Sequence, residues 1–273
     1  MNPGGVEIFD GDVKVNNELK SKEQIQEEIN CFFNYFNEKL EFVKEHCLFE
    51  EQQISGIRIE GVIICACCID ALGFYKYGGR SKRERFTKVI RHYSELATEY
   101  QKVSVARLKR ELQQRQNSLN HKSVQVDYKP LIEFLEQDLN VRSENYLNLS
   151  YNPDMSYQEL EKKIKCKFGI DYFLKLKDEI KKYRYLDILW RDYRCMPVHA
   201  LRIKHKALNI AQKTEPYYCN LSKLQEGKLS QETRFGIPPE FILRTIENCL
   251  NNCKKECIRN NISPFDLKGA KED

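Results

Sequence analysis

Arg194 and His199 carry the clearest chemical potential in this chain: an arginine and a histidine separated by four residues within YRYLDILWRDYRCMPVHALRIKHK, residues 183–206. Cleavage of RNA needs a base for the 2′-OH proton, a cation for the phosphate and an acid for the leaving oxygen. A histidine titrates near neutrality and can move the proton. An arginine fork binds a phosphate through paired bonds and stays charged. This chemistry requires no metal and no other cofactor. The same stretch holds the only tryptophan, Trp190, a second histidine, His205, and the cations Arg191, Arg202, Lys204 and Lys206.

The element that must position the pair is a helix. On a regular helix a five-residue step turns about 140°, so only the long arginine stem would bring both groups to one phosphate. Pro197 lies between them. It removes a backbone donor and clashes with the carbonyl of Tyr193, which predicts a kink or a new helix start near Met196.

With 273 residues, 41% hydrophobic and 31% charged, the chain is globular and large enough for a well-buried core. Its 12 glycines and 8 prolines are few, as helices require. The net charge of +5 permits a nucleic-acid partner without demanding one. The 11 cysteines form no tidy framework, and the polar, acidic start MNPGGVEIFDGD does not read as a signal peptide. Reduced thiols and a cytoplasmic location are therefore expected. No apolar run approaches the roughly 18 residues needed to span a membrane.

Taken in order, helical periodicity predicts a long helix over 21–47, capped by Ser21, with Ile25, Ile29, Phe32, Phe33, Phe36 and Leu40 on one face. A buried helix is expected over 54–75, where Gly61, Ala66 and Ala71 allow close packing; the β-branched residues there also suit a strand. A basic amphipathic helix over 80–92 carries Arg80, Lys82, Arg83, Arg85, Lys88 and Arg91, which serve either as a solvated face or as contacts to an RNA backbone. Further helices are expected over 96–121, 128–139, from a cap at Asp154 or Ser156, and after the turn at Gly169, opened by Asp171. A short hairpin or loop precedes a last helix over 238–257. The clusters Cys65, Cys67, Cys68 and Cys249, Cys253, Cys257 lack the spacing of a closed tetrahedral metal set and read as core.

The Arg–x4–His pattern in YRCMPVH, the buried helix ending at Gly78–Gly79 before a basic helix, and the closing helix entered through Pro238–Pro239 together resemble HEPN-domain proteins of a bacterial type, over roughly residues 55–93 and 183–257. The resemblance implies an all-α bundle: one HEPN-like domain over 1–273, with its core at about 19–93 and 183–260 and a helical insertion at about 94–182. It implies a homodimer whose facing Arg–His helices form a metal-independent endoribonuclease site, serving defence or toxin-like RNA cleavage, with a neutralising or regulatory protein as a further partner. Arg194 would hold phosphate and His199 would handle protons. Arg191, Arg202, Lys204, Lys206, Arg83 and Arg85 would bind RNA, and Tyr193 would help to orient the site. Cys195 stands where many catalytic members carry a polar Asn or Asp, and Pro197 is awkward in a helix. The alternative is a non-catalytic module of the same fold that binds RNA or a partner protein.

Overall fold

A computed structural model describes residues 20–51, 54–119, 127–141, 152–195, 207–208, 215–225 and 228–267. Most of this is helix, as the periodicity predicts. Helix α1 (Lys22–Phe42) opens on a reciprocal capping box: Gln24 N–H donates to Ser21 Oγ at 3.2 Å, and Ser21 N–H donates to the Gln24 side chain at 2.7 Å. Its apolar stripe of Ile29, Phe32, Phe33, Phe36 and Leu40 is buried, and one wide π-helical turn carries it on to Cys47.

The expectation of helix from residue 54 is corrected here. Residues Ile54–Ile57 form strand β2, paired antiparallel with β1 (Leu48–Glu51) in the register Leu48↔Ile57 to Glu51↔Ile54. Helix α2 begins only at Ile59 and runs to Tyr77. A short β-branched run flanked by turn residues fits either period, and here pairing with the preceding strand decides it. Close packing at Gly61 is real: a β-carbon there would stand 2.7 Å from that of Cys47 and 2.8 Å from the Ile57 side chain.

Helix α3 (Lys82–Tyr93) follows the turn at Gly78 and is capped by Ser81, which accepts from Glu84 N–H at 3.3 Å. It buries Phe86, Val89 and Ile90 and turns Lys82, Arg83 and Arg91 outward, whereas Arg85 is largely covered. The helix expected from residue 96 starts later. A short 3-10 turn and strand β3 (Lys102–Val103) precede α4 (Val105–Leu119), and β3 pairs with β4 (Met155–Ser156). Helix α5 (Lys129–Gln137) packs on α4, and α6 (Tyr157–Phe168) folds back on α7 (Ile170–Lys181) at Gly169. Ser156 caps α6, whereas Asp154, the other candidate cap, reaches instead to Val105 N–H at 2.9 Å at the start of α4. The turn before α7 opens at Ile170, one residue ahead of Asp171.

Helix α8 (Tyr185–Ile188) widens at once into a π-helix over Leu189–Cys195. The expected hairpin exists but is longer and later than the alternation suggested: β6 (Tyr217–Gln225) pairs antiparallel with β7 (Lys228–Gly236), which also pairs with β5 (Ala207–Leu208). The stretch KLQEGKLSQETRFG is thus mostly strand. Helix α9 (Pro239–Asn260) closes the fold against α1, α2 and α3. The buried apolar residues form one cluster that also takes in Tyr100, Val103, Leu108, Leu135, Phe173 and Ile180 from the central segment. No helix among the described residues is long and apolar enough to cross a membrane.

Candidate functional site

Arg194 lies in the π-helical segment with only 8% of its side chain exposed. Its outer nitrogen bonds the Asp70 carboxylate from the middle of α2, and its guanidinium lies 4.7 Å from the centre of the Trp190 ring. Asp70 also takes Arg85 Nε at 3.4 Å. A single carboxylate in the middle of the apolar helix α2 thus holds two arginines, one from α3 and one from the π-helix. Arg85 is only 14% exposed and lies over the Phe74 ring at 5.1 Å. A charge removed from water in this way must be paired, and both arginines that the sequence offered to a phosphate are committed to that pairing.

The residues around Arg194 are equally engaged. Tyr193 is fully buried and its hydroxyl accepts from Ile237 N–H at 3.0 Å, which ties the π-helix to the entry of α9; burial raises its pKa. Asp192, with no exposed side-chain surface, pairs with Arg107 at 2.5 Å and with Arg191 at 2.9 Å. Arg191 is one-third exposed and also donates to the Lys182 carbonyl at 3.2 Å. Burial lowers its pKa, but bonding to Asp192 outweighs this and leaves it raised. Burial raises the Cys195 thiol. His199, Arg202, Lys204 and Lys206 lie outside the described residues, so the Arg–His geometry and the kink expected near Met196 do too. Widening of the helix into π form starts before Pro197, a geometry frequent at functional sites.

A different set of cations gathers at Asp187, which is 4% exposed. Arg184 Nε donates to one carboxylate oxygen at 2.7 Å, and Arg83 Nη2 bonds the other. Arg91, two turns along α3 from Arg83, is solvent-facing; burial, and then the charge of Arg184, lower its pKa. Of these, only Arg83 and Arg91 stood out in sequence. Arg184 and Asp187 were missed, although an Arg-x-x-Asp step at a helix start is a legible pairing signal.

A second unexpected centre is Asp154. It is half-buried and accepts from the Tyr185 hydroxyl at 2.6 Å, the Tyr218 hydroxyl at 2.8 Å and Val105 N–H at 2.9 Å. Burial pushes its pKa up to about 7, against the lowering effect of those three donors. Ser104 Oγ stands 2.5 Å from the Tyr218 hydroxyl and extends the network. Beside it opens a cleft of about 350 Å³ lined by Tyr185, Asn152, Lys102, Glu99, Glu215 and Pro216.

The cysteines pack rather than converge on a ligand. Cys65, Cys68, Cys249, Cys253 and Cys257 are buried in the core, Cys67 faces outward, and among the described residues no three potential metal ligands come together. In comparison with known proteins, no family model matches this chain, no curated protein is similar to it in sequence, and no solved structure is similar to it.

Proposed function

We propose that this chain is a non-catalytic helical module, HEPN-like in plan, that binds RNA through the basic surface of α3 and its neighbours. The observation that carries this reading is the closure of Arg194. A guanidinium paired to Asp70, covered by Trp190 and 8% exposed has little freedom to clamp a scissile phosphate. The outward cations of α3, by contrast, are only partly answered by acids: Arg83 shares the single carboxylate of Asp187 with Arg184, and Arg91 beside them is exposed and makes no ion pair of its own among the described residues. Labelled single-stranded RNA in EDTA tests the reading. Binding that weakens steeply with salt, with the RNA left intact, is the expected result. Absence of binding overturns it.

One observation favours the metal-independent endoribonuclease reading, with Arg194 and His199 acting across a homodimer seam in defence or toxin-like RNA cleavage. Arg194 sits in a π-helical segment, and His199 follows it five positions on in the sequence. On that reading wild-type protein cuts RNA in EDTA, leaving 2′,3′-cyclic phosphate and 5′-OH ends, and His199→Ala loses about 10²–10⁴-fold in rate. Intact RNA, or equal cutting by His199→Ala, removes it.

A further inference from the structure

The cations at Asp187 outnumber the charge they neutralise. Two guanidiniums, from Arg83 and Arg184, pair with one carboxylate that is 4% exposed, and a third, from Arg91 two turns along α3 from Arg83, lies near enough to feel the charges of all three. Both of its oxygens are taken, one by Arg83 and one by Arg184. Arg91 has no carboxylate of its own among the described residues and is exposed, on the same helix as Arg83. Arg184 is held with its guanidinium over the Tyr157 ring at 5.7 Å and is 14% exposed, so its orientation is set by packing. Arg83 is 55% exposed, leaving the rest of its fork toward water. Like charges held together cost free energy unless an anion joins them, and planar forks of this kind match tetrahedral phosphate oxygens.

We infer that Arg83, Arg91 and Arg184 form a phosphate-binding site in which Asp187 fixes the forks and a phosphate group supplies the missing negative charge. The inference rests on the RNA-binding reading for its expected source, a phosphodiester of the RNA backbone; a free phosphate compound carries the same chemistry. The site is separate from Arg194, whose charge is already answered by Asp70.

Arg91→Gln is the informative variant, because Arg91 supports no ion pair and its loss leaves Asp187 satisfied. Arg83→Gln is the second variant, and Lys22→Gln on α1 is the charge-matched control. Binding of labelled single-stranded RNA is measured by anisotropy over a salt series, and binding of pyrophosphate by calorimetry, with thermal melts to confirm folding. For each arginine variant the expected result is RNA affinity about 10-fold weaker and a salt slope shallower by about 0.7, with the control unchanged. RNA bound equally by wild type and both variants overturns the site while leaving the RNA-binding reading in place. Pyrophosphate bound by wild type and lost in Arg91→Gln, with no RNA binding, keeps the site and removes RNA as its source. Neither ligand bound overturns both.

Discussion

Arg194 and Asp70, 124 residues apart in the chain, close on one another as a buried ion pair at the junction of α2 and the π-helix. This pairing holds together elements that no local signal connects. Arg85 joins it from α3, so one carboxylate stitches three segments.

Asp70→Ala therefore leaves two largely buried guanidiniums without a counter-charge. The expected loss is about 3–5 kcal/mol of unfolding free energy. Urea denaturation reads it as a lower midpoint at unchanged slope. Replacing all three together, as Asp70→Leu with Arg194→Met and Arg85→Met, should recover much of the loss, because a matched apolar set carries no desolvation penalty. Equal midpoints for wild type and Asp70→Ala would show that the pair contributes nothing.

Asp154 predicts a pH dependence of defined sign. Its folded pKa of about 7 lies above the ordinary carboxylate value of 3.8, since burial disfavours the charge. A group raised on folding contributes stability fully below its unfolded pKa and loses that contribution as pH rises through the folded one. A shift of this size corresponds to roughly 4 kcal/mol. Asp154→Asn removes the titration. The stability of wild type relative to this variant should fall between about pH 4 and 7 and level off above that range. A difference that stays flat across this range would contradict the assignment.

Gly61→Ala should destabilise through overpacking. The added β-carbon meets Cys47 at 2.7 Å and Ile57 at 2.8 Å, one at the end of α1 and the other in β2, neither a flexible chain end. A cost of about 1–3 kcal/mol is expected from thermal or urea unfolding. Gly169→Ala strains a backbone at φ +85° but meets no atom within 4 Å, so its effect should be local to the α6–α7 turn.

Much of the architecture was legible. Ser21 and Ser156 cap the helices that follow them, Gly169 breaks the chain where its φ is positive, and the last helix enters through Pro238. These signals are local, a few residues wide, and backbone chemistry alone sets them. Strand β2 was not distinguishable from helix because four residues do not fix a period. The state of Arg194 was illegible for another reason: its partner Asp70 lies on a different helix, and a sequence window that shows a cation does not show the distant acid. An isolated Asp70 in the apolar run CACCID is nevertheless a sign that a counter-charge must arrive from elsewhere. The same holds for Asp187 and Asp192, each set among arginines in the stretch first singled out for its cations.

The π-helical turn over Leu189–Cys195 has a consequence for how this stretch tolerates length changes. Such a turn holds one residue more than an α-helical turn would, so it stores a spare step of chain. Deleting one residue within it allows the backbone to relax to ordinary α geometry with its hydrogen bonds kept. The spare residue absorbs the deletion, so the segment beyond it stays close to its original phase, and Trp190 and an arginine then three positions on still share a face. Deletion here is therefore a slip that the wide turn takes up: the helix survives, and its arginine keeps its direction toward Asp70.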